Sequence, residues 1–255
     1  MASRTVLIFG SSNAGKTSMI NELTGYNFQV NNDAKGCTFE TRQVPPVSKG
    51  EVPYHFLDTA GLNETEKGRV KSKDAVQNIL KLLQHSKNGM NLLIYVRRIG
   101  TIIQTDKDNY EMFCDIVTNH QIPVICVITG CENEDPMSDW VRRNEDAFKN
   151  NGMRLHGMVA TCFAKGGPSE SVCRPLREQS AKDVWDAIMN HATNKPVDFI
   201  KQSGGISAVL KRIWNQYCTW LNQPTWKWVN EHVRDILARL GFGSQEANQM
   251  AEMFV

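Results

Sequence analysis

The sequence predicts an α/β fold in which a mostly parallel sheet is covered by helices on both faces. Short apolar runs alternate with segments of helical periodicity from Thr5 to His191. Parallel strands that are joined through helices are buried on both faces and therefore consist of nearly continuous apolar residues. Beyond residue 192 the periodicity is helical only, which predicts an all-helical C-terminal extension.

The elements predicted for the α/β part alternate along the chain. The strand segments are Thr5–Phe9, Phe39–Val44, Val52–Leu57, Asn91–Val96, Ile122–Thr129 and Leu155–Thr161. The helical segments are Lys16–Thr24, Asp74–Gln84, residues 105–120, Trp140–Lys149 and Ala181–His191. Gly25 ends the first helix, and Pro45 limits the second strand.

We predict two domains, an α/β domain at residues 1–192 and a helical extension at residues 193–255. In the extension, Val209, Leu210 and Ile213 recur at helical spacing. Its apolar stripes allow three placements: packing back on the α/β domain, pairing with a second copy, or contact with a membrane surface. The membrane is the least favoured of these because basic residues in the extension are few. Since the sheet and its helices are complete by residue 191, we expect the core to depend little on the extension.

The composition excludes several classes of protein. Apolar residues make up 41% and charged residues 22% of the chain, as in ordinary folded proteins. The 29 basic and 27 acidic residues give a formal net charge of +2, so we expect no nucleic-acid partner. No apolar run has the length to span a bilayer, and because the first strand begins at Thr5 we expect no signal peptide. Seven cysteines without a C-x-x-C pair predict a cytoplasmic protein with reduced thiols and no zinc site.

The segment from Gly10 to Thr17 matches the phosphate-binding loop G-x-x-x-x-G-K-[ST]. It follows an apolar strand and opens a helix, which is the structural context that this motif requires. Its glycines let backbone N–H groups turn toward phosphate oxygens, and the helix adds its positive N-terminal end. Lys16 is predicted to reach the β- and γ-phosphates, and Thr17 is predicted to bind Mg²⁺. The predicted nucleotide contacts are Gly10, Ser12, Asn13, Ala14, Gly15, Lys16, Thr17 and Ser18.

A second phosphate motif, Asp58-Thr59-Ala60-Gly61, follows the strand that ends at Leu57. The Asp58 carboxylate can hold Mg²⁺ through a water molecule, and Gly61 can bring its N–H close to a γ-phosphate. Between the two motifs a threonine is expected to ligate Mg²⁺ and to sense the γ-phosphate. Thr38 is preferred over Thr41 for this role, because Phe39 begins the next strand. Asp-Thr-Ala-Gly at this position resembles the motif of Ras-like GTPases.

Ras-like GTPases usually carry [NT]-K-x-D after the next strand but one, where the carboxylate accepts from guanine and the lysine stem lies along the base. This chain has Thr129-Gly130-Cys131-Glu132 there. Glu132 is predicted to take the aspartate role with a longer arm, while Gly130 removes the lysine stem. The alternative for Glu132 is a solvated loop acid. Ala164 and Lys165 are in register with the last base-contact loop of such proteins.

The chain resembles the septin-like, immunity-associated nucleotide-binding (GIMAP-like) branch of Ras-superfamily G domains. Within that branch it is similar to the G-domain-containing proteins abundant in mushroom-forming fungi. The resemblance covers about residues 4–192. It rests on the phosphate loop and on Gly36-Cys37-Thr38-Phe39, residues 58–64, Leu93-Ile94-Tyr95 and residues 127–133. It implies a protein that binds GTP and GDP with Mg²⁺ and that pairs its G domains across the nucleotide face.

The glutamine that orients the attacking water in Ras-like GTPases is replaced by Leu62. Leucine cannot hydrogen-bond water, so we expect slow intrinsic hydrolysis that is stimulated by G-domain pairing. Arg97 and Arg98 follow a strand at whose end GIMAP-like relatives place an arginine that reaches the partner's phosphates. Arg98 is preferred for this role, and neither arginine is expected to fold back onto its own nucleotide. The alternative for both is a solvated basic loop.

Together these patterns predict a Mg²⁺-dependent GTPase in which Lys16, Thr38, Gly61 and Arg98 act in catalysis, and Thr17, Thr38 and Asp58 organise the metal. Two alternatives stay open. One is an interaction module that dimerises on GTP with negligible turnover, which Leu62 favours. The other is an ATPase or promiscuous NTPase, which the degenerate base element permits. The expected partners are a guanine nucleotide, a second copy of the chain and an unidentified effector.

Overall fold

The computed structural model describes residues 3–29, 42–59, 81–166, 170–221 and 245. The strands are β1 (Arg4–Phe9), β2 (Arg42–Gln43), β3 (Val47–Lys49), β4 (Val52–Asp58), β5 (Leu92–Arg98), β6 (Val124–Thr129) and β7 (Gly157–Thr161). The helices are α1 (Lys16–Thr24), α2 (Gln104–Tyr110), a π-helix (Glu111–Val117), α3 (Ser138–Asn150), α4 (Glu170–His191), α5 (Phe199–Gln202) and α6 (Ile206–Leu221). Residues 81–85 are also helical. The predicted α/β alternation is confirmed.

These strands form one sheet in the order β2-β4-β1-β5-β6-β7, with β3 also paired to β4. The pairs from β4 through β1, β5 and β6 to β7 are all parallel. Only β2 and β3 run antiparallel to β4. The prediction of a mostly parallel sheet is therefore confirmed. In such sheets, ligands bind at the carboxyl ends of the strands, where all predicted phosphate motifs begin.

Two apolar clusters cover the two faces of the sheet. Along β1, Leu7 and Phe9 belong to the first cluster, whereas Val6 and Ile8 belong to the second. This alternation is expected because successive side chains of a strand point to opposite faces. The first cluster is completed by α2, the π-helix, α3 and the extension, and the second by α1 and α4.

The structure differs from the prediction in two strands and in the bounds of two helices. Strand β5 continues to Arg98, so Arg97 and Arg98 belong to the strand rather than following it, and β3 was not predicted. Helix α4 starts at Glu170 rather than at Ala181 and contains Pro175 in its interior. Proline removes one backbone hydrogen bond, so the sequence favoured a later start. Buried contacts of Cys173 and Arg177 hold the additional turns in place. The helix predicted over residues 105–120 is an α-helix that continues as a π-helix.

The described part of the extension packs on the α/β domain, which is the first of its three predicted placements. A β-bridge joins Met90 and Val197. Arg212 donates from Nε to the carbonyl of Ile116 over 3.1 Å, and Gln216 donates to Glu111 over 3.0 Å. Five apolar side chains of the extension are buried in the first cluster: Phe199, Ile200, Val209, Leu210 and Ile213. These contacts argue against the expectation that the core depends little on the extension, and the domain boundary at residue 192 stays a prediction.

Two further sequence-based expectations bear on the described residues. None of the helices in these ranges is long and apolar enough to cross a bilayer. Five cysteines whose side chains the structure describes are free thiols, as predicted, and are buried: Cys114, Cys126, Cys131, Cys162 and Cys173. Burial raises the pKa of the Cys131 and Cys162 thiols to about 11, which keeps them protonated and unreactive at neutral pH.

Removing the extension should destabilise the α/β domain. A fully buried aliphatic or aromatic side chain contributes roughly 1.5–3 kcal/mol, and the free energy of unfolding of a domain is only about 5–15 kcal/mol. We expect residues 1–192 to unfold at a much lower temperature than the full chain, or to aggregate, because the first cluster loses five side chains. Residues 1–221 are the matched control, since they keep these contacts. Equal thermal midpoints for residues 1–192 and 1–221 would contradict this prediction.

Candidate functional site

The phosphate loop begins with a backbone contact that only glycine allows. Gly10 has φ +142°, and a Cβ built on it would lie 1.9 Å from the carbonyl oxygen of Val96. The loop therefore leaves β1 pressed against the end of β5. Gly15, with φ +95°, lies close to β6 in the same way, because a Cβ there would lie 3.0 Å from Thr129 Cγ2. Packing and backbone conformation thus require glycine at both of these positions of the motif.

Lys16 begins helix α1 and is buried. Its ammonium group donates to the carbonyls of Gly10 over 2.8 Å and Ser11 over 2.9 Å. Asn109 of α2 donates to the Ser11 hydroxyl over 3.0 Å, so a helix from the middle of the chain also holds the loop. The loop is therefore fixed from inside by its own lysine and from outside by α2.

Thr129, at the end of β6, connects the base end of the site to the phosphate loop. Its hydroxyl donates to the carbonyl of Ala14 over 2.7 Å and lies 3.3 Å from the carbonyl of Arg97. The following segment is fixed to β7, because the N–H of Cys131 donates to the carbonyl of Thr161 over 3.0 Å. The predicted base element and the predicted phosphate loop thus form one rigid wall.

A cleft of about 250 Å³ lies between these elements at the carboxyl edge of the sheet. Its walls come from the phosphate loop and α1, the end of β5, the segment after β6 and the segment after β7. The lining residues are Asn13, Gly15, Ser18, Arg98, Thr129, Gly130, Glu132, Phe163 and Ala164. A larger groove of about 500 Å³ runs beside β7 and contains none of the predicted site residues.

Glu132 is half-buried on the wall of this cleft. Its Oε2 atom is shielded from solvent and accepts no hydrogen bond from any residue that the structure describes. Most shielded polar atoms in proteins have a partner, so an acceptor of this kind on a cleft wall is suited to an N–H donor of a ligand. The alternative of a fully solvated loop acid does not fit this burial.

The last predicted base-contact loop follows β7, and the structure separates its two candidate residues. Ala164 lines the cleft, whereas Lys165 is exposed and pairs with Glu22 of α1 at 2.6 Å. Arg177 donates to the carbonyl of Ala164 and to the Glu170 carboxylate. Hydrogen bonding from Arg177 lowers the pKa of Glu170 to about 2, so this pair stays charged and holds the loop at neutral pH.

Arg97 is buried, and its guanidinium group stabilises the end of β5. It donates to the carbonyls of Gly100 and Thr101, both over 3.0 Å, and pairs with Asp106 at 3.4 Å. Asp106 also accepts from the Tyr95 hydroxyl over 2.8 Å. Burial raises the pKa of Tyr95 well above its usual range, so the phenol keeps the proton that it donates. The solvated-loop alternative is therefore wrong for Arg97.

Arg98 is exposed and lines the cleft of its own chain. The expectation that neither arginine approaches its own nucleotide site is therefore not met for Arg98. The physical reason is that β5 and β6 are adjacent, with Arg98 in register with Thr129. The Arg98 side chain thereby comes next to Gly130, where no side chain stands in its way.

The predicted metal and γ-phosphate residues fall partly outside the described ranges. Thr38, Gly61 and Leu62 lie there, as does Thr41. Thr17 is in the first turn of α1, and Asp58 ends β4 in register with Ile8. Thr59 fixes this strand end, because its N–H and its hydroxyl both donate to the carbonyl of Ile8 over 3.0 Å. In the described ranges, no group of three or more His, Cys, Asp or Glu residues could hold a metal ion.

Sequence reasoning missed two residues of the site. Asn109 lies in a helix 98 positions after Ser11, and nothing in the local pattern links the two residues. Phe163 belongs to the predicted base-contact loop, but its buried ring also lines the cleft. A large apolar residue in the loop that follows a strand is a signal for such a wall position, whereas Asn109 has no comparable signal.

A family profile described as "50S ribosome-binding GTPase" matches residues 5–130. This range runs from β1 through the phosphate loop to the end of β6.

Among curated relatives, the GTPase Der of Thermosipho africanus is 33% identical over 132 residues, which cover 51% of this chain and 28% of that protein. The tRNA modification GTPase MnmE of Acinetobacter baumannii is 32% identical over 166 residues, which cover 64% of this chain and 35% of that protein. The chain therefore spans about a third or less of the length of these relatives.

Solved structures share the fold at low sequence identity. Era in complex with MgGDPNP and a segment of 16S ribosomal RNA has a TM-score of 0.55 at 19% identity, covering 77% of this chain and 59% of Era. Toc33 from Arabidopsis thaliana in complex with Mg²⁺ and GMPPNP has a TM-score of 0.53 at 20% identity, and the match covers 77% of this chain and 89% of Toc33.

A further match is a solved structure of a chloroplast translocon component. Its description states that dimerization is important for the GTPase activity of atToc33 and psToc159. Its TM-score is 0.52 at 20% identity, and the match covers 76% of this chain and 85% of that one. The phosphate loop, the sheet order and the profile match over residues 5–130 lead to one conclusion: this chain has the fold of a Ras-like G domain with a phosphate-binding loop.

Proposed function

We propose that this protein binds GTP and GDP together with Mg²⁺ and hydrolyses GTP to GDP. The observation that carries the guanine assignment is Glu132, whose shielded Oε2 has no hydrogen-bond partner among the described residues and whose side chain lines the cleft. Guanine offers two N–H donors on one edge, at N1 and N2, whereas adenine offers an acceptor at the corresponding N1. A carboxylate on the wall therefore favours guanine.

The phosphates of the nucleotide would lie in the loop between β1 and α1. Lys16 supplies the positive charge there, and the N–H groups at the start of α1 point toward the bound anion. Thr129 and Asn109 support this arrangement by fixing the loop from β6 and α2. A rigid loop binds phosphate at a lower entropic cost, because its N–H groups are already oriented.

The donors available for the metal fit Mg²⁺. Thr17 offers a hydroxyl and Asp58 a carboxylate, both of them hard oxygen ligands of the type that Mg²⁺ selects. Magnesium in such sites is held by one or two protein oxygens plus substrate phosphates and water, so a larger cluster of acids is not needed. When bound, the metal neutralises charge on the phosphates. Thr38 is proposed as the third ligand and Gly61 as the γ-phosphate contact.

For hydrolysis, we propose that pairing of two G domains replaces the missing glutamine. Leu62 gives the attacking water no hydrogen-bond partner. The structural match to a chloroplast translocon component supports this proposal, since dimerization is described as important for the GTPase activity of atToc33 and psToc159. Arg97 is unsuited to a role in the partner's site because it is buried in its own ion pair. We further propose that the chain belongs to the septin-like, GIMAP-like branch of G domains. We also propose that the protein is located in the cytoplasm.

One alternative function keeps a specific observation in its favour. A GTP-dependent interaction module with negligible turnover is consistent with Leu62. An ATPase is disfavoured by the Glu132 carboxylate on the cleft wall.

Because one structural neighbour is Era in complex with 16S ribosomal RNA, the expectation that this chain has no nucleic-acid partner stays a prediction.

Lys16→Ala should abolish binding of GTP and GDP. The substitution removes the buried ammonium group of the phosphate loop, and the remaining N–H dipoles do not replace a full charge. Equilibrium titration with fluorescent GTP and GDP analogues checks this. Lys149→Ala is the matched control, because Lys149 is exposed at the end of α3 and pairs with Glu145. Unchanged affinity of Lys16→Ala would reject the phosphate-loop assignment.

Glu132→Ala should weaken GTP and GDP binding by about 1–3 kcal/mol, the usual loss when a charged acceptor is deleted from a buried hydrogen bond. Binding of ATP should barely change. Glu134→Ala is the matched control, since Glu134 pairs with Arg143 and does not line the cleft. An equal loss for guanine and adenine nucleotides would mean that Glu132 does not read the base.

The specific activity of phosphate release should rise with protein concentration if the paired G domains form the catalytic unit. The measurement is GTP turnover per chain across a dilution series at saturating GTP and Mg²⁺, with Lys16→Ala as the background. A rate per chain that is constant and well above this background would exclude the pairing mechanism. A rate at the background throughout, with GTP still bound, would instead favour the interaction module.

A further inference from the structure

The base end of the cleft lacks the side chain that usually supports the base. Gly130 stands where Ras-like GTPases carry a lysine, and its φ of +83° is one that L-residues with a side chain rarely adopt. A Cβ at this position would also lie 3.3 Å from Ile99 Cγ2. Backbone conformation and packing therefore both disfavour a lysine here.

A different side chain fills this space. The Cβ that Gly130 lacks would lie 3.5 Å from Cγ and 3.6 Å from Nε of Arg98. The Arg98 side chain therefore runs alongside Gly130 from the neighbouring strand. Its backbone is fixed there, because Arg98 is in register with Thr129 and the next N–H, that of Ile99, donates to the carbonyl of Thr129 over 2.8 Å.

The charges at this end of the cleft are unusual for a phosphate site. Arg98 and Glu132 both line it, yet in the described part of the chain the Arg98 guanidinium forms no ion pair or hydrogen bond. One positive and one negative group together leave this end nearly neutral. A neutral ring with N–H donors at its edge and a π-face satisfies both groups, whereas a phosphate would be repelled by Glu132.

We propose that Arg98 is the base platform of this protein: its stem and planar guanidinium group pack on the face of the nucleotide's purine ring, in place of the missing lysine stem. Arginine is suited to this role because its guanidinium plane stacks on aromatic faces and is weakly hydrated. Arg98 would then bind the nucleotide of its own chain rather than the phosphates of a partner. This inference rests on the proposed function, namely nucleotide binding in this cleft.

A residue that packs on the face of the base and a residue that hydrogen-bonds its edge affect nucleotide affinity differently. The face of a purine is similar in guanine and adenine, so Arg98 should contribute to both, while Glu132 should discriminate between them. Stacking of a base on a side chain is worth roughly 1–3 kcal/mol, which corresponds to a change in affinity of about 5- to 150-fold. Removing Arg98 should therefore weaken both nucleotides and leave the ratio of GDP to ADP affinity unchanged.

The test is calorimetric titration of the full-length wild type, Arg98→Ala and Arg98→Met with GDP, ADP and pyrophosphate, plus turnover at saturating GTP. We expect Arg98→Ala to bind GDP and ADP about 5- to 150-fold more weakly and to bind pyrophosphate like the wild type. Arg98→Met should retain part of the lost affinity, because its unbranched stem still packs on the ring. Arg142→Ala is the matched control, since Arg142 is exposed on α3 and pairs with Asp139.

Three results would overturn the proposal. Unchanged GDP affinity of Arg98→Ala with a large loss of turnover would make Arg98 a group that acts on a partner's phosphates. An equal loss for GDP and pyrophosphate would make it a phosphate contact of its own chain. If the wild type binds pyrophosphate but GDP no more tightly, the proposed guanine-nucleotide function fails, and the base platform fails with it.

Discussion

The close contact between Gly10 and the end of β5 fixes the geometry of the whole site. The backbone of Gly10 approaches the carbonyl of Val96 so closely that a Cβ would lie 1.9 Å from it. Because β1 lies in the middle of the sheet, between β4 and β5, the loop emerges at the centre of its carboxyl edge. The other residues of the site lie on either side of this loop. Asp58 comes from β4 on one side, and Arg98, Thr129 and Glu132 come from β5, β6 and the segment after β6 on the other.

Buried polar contacts, rather than loop composition, make this edge rigid. The Arg97 guanidinium holds the turn after β5 by donating to the carbonyls of Gly100 and Thr101 and by pairing with Asp106. Asp106 also accepts from the N–H of Ile103 over 3.0 Å at the start of α2. Helix α2 then reaches the phosphate loop through Asn109. A buried ion pair within such a network is costly to break, because removing one partner leaves a desolvated charge behind. Two neighbouring arginines thus have opposite environments: Arg97 is paired inside the fold, and Arg98 is available to a ligand.

The extension has a larger share in this architecture than its position at the end of the chain indicates. Helix α6 packs on the π-helix, and Arg212 donates to the carbonyls at the end of that π-helix. The carbonyls at a helix end lack partners within the helix, so a cationic side chain there is stabilising. The π-helix continues directly from α2. The extension therefore supports the helix that holds the phosphate loop, although its described part, residues 193–221, contributes no residue to the lining of the cleft.

Local sequence patterns were enough to predict the alternation of strands and helices, the phosphate loop and the ends of β1, β6 and β7, although they did not predict β3. These follow from local signals: apolar runs for β1, β5 and β6, and glycines at positions where the backbone must turn. The start of α4 was not predictable, since Pro175 is locally unfavourable and buried contacts such as those of Arg177 outweigh it. Only the tertiary structure separated the roles of Arg97 and Arg98, joined Asn109 to Ser11 and brought Arg98 beside Gly130. The physical reason is that burial and side-chain contacts between strands depend on which strands are neighbours, and a single sequence does not contain the distances that decide this.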